Sequence, residues 1–117
     1  MADNQVIKVF SVDVASGATL SSGIDLAQGW SDVSLKIPSF SSGSDIFIQA
    51  ATTSDGDYLR VMHPVVNSSS AQVYDYKIAS GLSARILPIP AGYQHLKVEL
   101  STAQTDVTSV FEIICKS

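Results

Sequence analysis

In Tyr93-Gln94-His95-Leu96-Lys97-Val98-Glu99-Leu100-Ser101 the side chains alternate, with Leu96, Val98 and Leu100 on one side and His95, Lys97 and Glu99 on the other. A two-residue period marks an extended strand with one dry face and one wet face. The approach to it, Ile86-Leu87-Pro88-Ile89-Pro90-Ala91-Gly92, is apolar but holds two prolines. Proline has no N–H to give a sheet ladder, so an edge or crossing segment is predicted there. Gly92 then supplies the backbone freedom needed to turn the chain into the sheet. The other strands are expected to form a shell around residues 93–101.

Working outward, residues 6–14 alternate with Phe10, Val12 and Val14 on one face and Ser11 and Asp13 on the other. Ala15-Ser16-Gly17 is a turn, and Leu20 with residues 24–26 forms short apolar pieces that read as an irregular edge. Ala27-Gln28-Gly29 turns again, and residues 30–37 alternate through Val33, Leu35 and Ile37 until Pro38 ends the strand. Residues 45–52 and 58–65 form the clearest hairpin, joined by a linker with the Asp55-Gly56 pair that favours a tight turn. Residues 66–71 read as a polar loop and residues 73–79 as one further strand, with Tyr74, Tyr76 and Ile78 against Asp75 and Lys77. Residues 80–83 lead into the proline-bearing approach. Residues 108–116 close the chain with Phe111, Ile113 and Cys115 inward.

No stretch keeps a 3.6-residue period or is capped as a helix. Short strands spaced about 8–12 residues apart and joined by Gly, Ser and Pro turns predict an antiparallel sandwich or barrel. The 117 residues suit one domain, here residues 6–117, able to bury roughly two-thirds of its unfolded surface. Residues 1–5 are polar and are expected to be a flexible N-terminal arm.

Charged residues make up 15% of the chain and apolar ones 45%, against about 25% charged in ordinary globular domains. Serine and threonine supply the missing polarity. Such a surface suits protein contact, because little charge must be desolvated; it is equally what a β-rich surface looks like with no partner. The seven basic residues, Lys8, Lys36, Arg60, Lys77, Arg85, Lys97 and Lys116, are scattered in a chain of net charge −4. Direct nucleic-acid binding needs clustered cations and is not expected. No apolar run approaches the roughly 20 residues of a membrane helix, and no signal-peptide pattern precedes Val6, so synthesis and retention in a cytoplasm are expected. Cys115 is the single cysteine; an internal disulfide is excluded, and a buried apolar role is expected.

Catalytic and metal chemistry find no pattern. His63 and His95 lie on expected strands without a ligand-spacing motif. Asp55-Gly56-Asp57 lacks the further oxygen ligands of a calcium loop. Asn67-Ser68-Ser69 matches a glycosylation sequon but reads as a polar loop without secretion. There is no nucleophile elbow and no phosphate-cradling glycine loop. No catalytic residue, cofactor or metal is therefore expected. The candidate contact residues, for protein or glycan, are Trp30, Tyr74 and Tyr76; a lone tryptophan beside a turn is more often part of a core edge, whereas two tyrosines one step apart on one face could form an exposed patch.

The run from Phe10 through Asp13-Val14-Ala15-Ser16-Gly17 to Ser22, the segments Asp45-Ile46-Phe47-Ile48-Gln49 and Arg60-Val61-Met62-His63-Pro64, and the pair Pro88-Ile89-Pro90-Ala91-Gly92-Tyr93 and Leu96-Lys97-Val98-Glu99-Leu100-Ser101 resemble small structural proteins of tailed bacteriophages. The resemblance implies a β-sandwich virion component, often a capsid decoration (cement) protein or a head or tail accessory. The order of hairpin, Asp-Gly turn and late Gly-Tyr strand also resembles jelly-roll carbohydrate-binding modules, whose binding faces are usually more aromatic than this one.

The expectation is an all-β, antiparallel, jelly-roll-like sandwich. Its implied role is a virion structural protein, made in the bacterial host cytoplasm. It would bind the major capsid protein or other virion proteins as a homo-oligomer, without membrane or direct nucleic-acid contact. The alternatives are a carbohydrate-binding or host-adhesion module and a tail or connector accessory.

Overall fold

A computed structural model describes residues 6–40, 43–53, 55–66, 71–75, 77–78, 85–105 and 107–117, with backbone alone for 62–66 and 71–75. The expected arm at residues 1–5, the Asn67 sequon loop, residues 80–83 and Tyr76 lie outside the described residues. The described chain is all β: β1 (Ile7–Val14), β2 (Ile24–Asp25), β3 (Asp32–Ile37), β4 (Ile46–Ala51), β5 (Leu59–Arg60), β6 (Met62–Val66), β7 (Ala71–Asp75), β8 (Lys77–Ile78), β9 (Arg85–Ile89), β10 (His95–Leu100) and β11 (Ser109–Lys116).

Two antiparallel sheets pack face to face. One has the order β1-β11-β3-β9, the other β2-β10-β4-β5 with β8 also pairing β4. The alternation read from the sequence sets the inner faces. From the four-stranded sheet come Val12, Val14, Val33, Leu35, Ile37, Ile89, Phe111, Ile113 and Cys115; from the five-stranded sheet come Ile46, Ile48, Ile78, Leu96, Val98 and Leu100. All are buried, and such burial contributes about 1.5–3 kcal/mol for each large aliphatic or aromatic side chain. Burial also raises the Cys115 thiol pKa above its ordinary value, because a thiolate loses its hydration there.

β10 lies inside its sheet. It pairs with β4 from His95↔Ala51 to Leu100↔Ile46, and on its other side with β2 and with residues 19–21. There Ser21 N–H donates to the Val98 carbonyl (2.9 Å), Leu100 N–H donates to the Thr19 carbonyl (2.7 Å), and Val98 N–H donates to Ser21 Oγ (2.9 Å). The approach segment is an edge, as its prolines require: β9 pairs on one side with β3, opposing Pro88 to Ser34. Gly92 turns the chain at φ 97°, a conformation costly for residues with a Cβ.

Three expectations are corrected. The second arm of the hairpin is interrupted after Arg60. β5 pairs with β4, and Val61, buried, still donates its N–H to the Ile48 carbonyl (2.8 Å). The chain then leaves, and β6 pairs with β7 in a separate two-stranded sheet. The strand expected over 73–79 is likewise two strands: β7 belongs to that small sheet and β8 returns to β4, with Ile46↔Ile78 and Phe47↔Lys77 in register. Ala71, assigned to a loop by sequence, begins β7.

Candidate functional site

The outward faces of the two packed sheets are built from residues of opposite parity to the core. On the five-stranded sheet they close on themselves. Glu99 accepts from Arg60 Nε (2.9 Å) and Nη2 (2.6 Å) and from Gln49 Nε2 (2.9 Å). The Arg60 guanidinium lies 3.9 Å from the Phe47 ring centre, Lys97 Nζ lies 4.4 Å from that of Tyr58, and Lys77 pairs with Asp45 at 3.8 Å. The bonds from Arg60 hold the Glu99 carboxyl below its ordinary pKa, helped by Gln49 and opposed by partial burial. Cation–π stacking and a two-toothed Arg–carboxylate pair leave this face little unspent bonding capacity.

Beside it is a concavity of about 230 Å³ lined by Gly23, Ile24, Asp25, Tyr58, His95 and Lys97. It collects a carboxylate, an imidazole, a phenol and an ammonium, yet most are committed. Asp25 Oδ1 accepts from Gln94 Nε2 (3.0 Å) and Ala27 N–H (2.7 Å), and these two bonds, the Gln94 one foremost, lower its pKa. His95 is buried. Among the described residues no group of three or more His, Cys, Asp or Glu could hold a metal ion.

The four-stranded sheet is different. Its outward face has a row running across all four strands, Val9–Ile114–Ser34–Pro88, fixed by the registers of β1 with β11, β11 with β3 and β3 with β9. The neighbouring row is Ser11–Glu112–Lys36–Ile86, where Lys36 Nζ meets Glu112 at 3.2 Å. Around these sit Ile7 (59% exposed), Val9 (51%), Ile86 (57%) and Val110 (48%). Exposed apolar side chains that form a contiguous patch on one sheet face are a feature of contact surfaces. Beyond the ion pair, the charges here also oppose one another across strands, with Lys116 in register with Asp32.

Of the contact residues expected from sequence, Trp30 is withdrawn. It is 5% exposed, packs in the core, and donates its indole N–H to the Leu26 carbonyl (2.8 Å). Tyr74 lies on β7, where only the backbone is described, and Tyr76 lies outside the described residues. The sequence reading missed Ile7, Val9 and Val110. The signal was present: β1 and β11 are apolar at both parities, whereas a strand with one solvated face should be polar at alternate positions.

Among the described residues no helix is long and apolar enough to cross a membrane. No protein-family model matches the chain, and no curated protein matches it. Among solved structures the fold is similar to the crystal structure of the SPBc2 prophage-derived protein YomS, with a TM-score of 0.64 and 12% sequence identity, covering 100% of this chain and 98% of that one. A likeness at that identity is one of fold.

Proposed function

We propose that this chain is a structural protein of a bacteriophage virion, a capsid decoration (cement) protein that binds the assembled shell as a homo-oligomer and transforms no substrate. The single observation that carries the reading is the open outward face of the four-stranded sheet, where Ile7, Val9, Ile86 and Val110 stand exposed. Similarity of fold to a prophage-derived protein supports the phage setting. A jelly roll is the topology proposed: the chain alternates between sheets, and the orders β1-β11-β3-β9 and β2-β10-β4-β5 support it.

The mechanism is one of linkage. A contact surface offered only by assembled subunits binds the assembled form and stabilises it by mass action. Repetition over a symmetric shell, with copies joined to one another, adds avidity without new contacts. The buried position of Trp30 removes the strongest stacking ring from the glycan-binding alternative.

Mass spectrometry of purified particles, followed by negative-stain imaging with a labelled antibody, tests the reading. Label distributed over the shell is expected. Label confined to the tail or connector, or absence of the protein from particles, overturns it.

A further inference from the structure

The two packed sheets have four edges, and three are blunted. β9 carries Pro88 within its five residues, and β2 and β5 are two residues long. These are the devices by which sheets avoid pairing with other chains. The fourth edge, β1, is eight residues long, has no proline and reads Ile7-Lys8-Val9-Phe10-Ser11-Val12-Asp13-Val14. The first bond of its ladder fixes which backbone groups are spent. Ser117 N–H donates to the Val6 carbonyl (3.0 Å), so the even-numbered residues of β1 bond to β11. The N–H and C=O groups of Ile7, Val9, Ser11 and Asp13 therefore aim away from the sheet. Among the described residues no strand pairs there.

We propose that β1 pairs antiparallel with β1 of a second copy, joining two four-stranded sheets into one continuous sheet across a twofold axis. This rests on the reading of the protein as a homo-oligomer and names its interface. The occupant follows from self-complementarity. About a twofold axis the same outward groups meet, and one register alone engages all four odd positions: Ile7 with Asp13 of the second copy and Val9 with Ser11 of the second copy, each pair twice. That register centres on Phe10, which meets its counterpart in the closely spaced, non-hydrogen-bonded position that favours aromatic pairs. The exposed Ile7 and Val9 then flank the axis on the outer face and bring the apolar rows of two copies into one surface.

The test uses the isolated full chain, so it is independent of whether particles bind. Sedimentation over a concentration series is combined with hydrogen exchange at single-residue resolution. A dimer is expected, with the amides of Ile7, Val9, Ser11 and Asp13 exchanging more slowly as dimer forms. Val9→Pro removes an outward N–H and takes no bond from the β1–β11 ladder; it is expected to weaken the dimer by at least about tenfold. Val9→Lys, which leaves the backbone unchanged, should also weaken it and serves if the proline variant fails to fold. A monomer at all concentrations, a dimer unaffected by both variants, or protection of these amides only on binding to particles would each overturn self-pairing. The last outcome would assign the edge to a strand of another virion protein. A confirmed dimer that is absent from particles would instead overturn the virion reading alone.

Discussion

The two solvent-facing sheet surfaces of this protein have nearly opposite economies of bonding. On the five-stranded sheet, Arg60, Glu99, Gln49, Phe47, Lys97 and Tyr58 engage one another across β4, β5 and β10, and both flanking strands are short. On the four-stranded sheet, Lys36 pairs with Glu112, Ile7, Val9, Ile86 and Val110 stand exposed, and one long edge has half its backbone groups aimed outward. Both sheets bury apolar inner faces in one core, so the difference lies in their outer faces. Under the proposed function, it separates a surface that stabilises the monomer from one offered to a second molecule.

Five variants probe that contrast. Phe111→Ala, on the central β11, empties the largest fully buried side chain of the core and should cost about 3–5 kcal/mol in urea unfolding, destabilising both sheets in one transition. Glu99→Ala should cost about 1 kcal/mol, since Arg60 and Gln49 lose their acceptor while water reaches part of the site. The pH dependence has a defined sign. Glu99 has a lowered folded-state pKa, so its contribution is complete above its ordinary value of 4.5 and is lost as pH falls through the lower folded value. Glu99→Gln should therefore flatten the acid limb of a stability–pH profile.

Ala27 adopts φ 73° in the turn held by Asp25, and Ala27→Gly should raise stability by up to about 1 kcal/mol in the same unfolding assay, because glycine carries no Cβ penalty there. Ile86→Ser, on the open face, should change monomer stability by less than about 0.5 kcal/mol while reducing particle occupancy measured by co-sedimentation. If Ile86→Ser destabilised the monomer as much as Glu99→Ala, the contrast between the faces would fail.

Much of this architecture was legible in the sequence where one strand met one environment. Leu96-Lys97-Val98-Glu99-Leu100 and Val33-Ser34-Leu35-Lys36-Ile37 alternate cleanly, and the burial of their apolar members follows. Pro88 pointed to an edge or crossing segment and Gly92 to a turn, and the chain has an edge and a turn there. What could not be read was partner choice. Nothing local to residues 58–66 shows that pairing passes from β4 to β7 after Val61, since either partner satisfies the same backbone groups. The Arg60–Glu99 pair spans 39 residues and comes together only through the register of β4 between β5 and β10. Trp30 was ambiguous because a tryptophan beside a turn suits a core edge or a contact patch, and the Leu26 carbonyl that accepts its N–H decides the matter.

Action through the four-stranded sheet is the proposal on which the function of this protein turns. Hydrogen exchange of the particle-bound protein against the free protein, with the five-stranded sheet as internal reference, tests it most directly. Slowed exchange in β9 and β11 is expected on binding, with β5 and β10 unchanged and β1 already protected in the free dimer. Protection centred on Arg60, Lys97 and Glu99, with β9 and β11 exchanging as in the free protein, would overturn it.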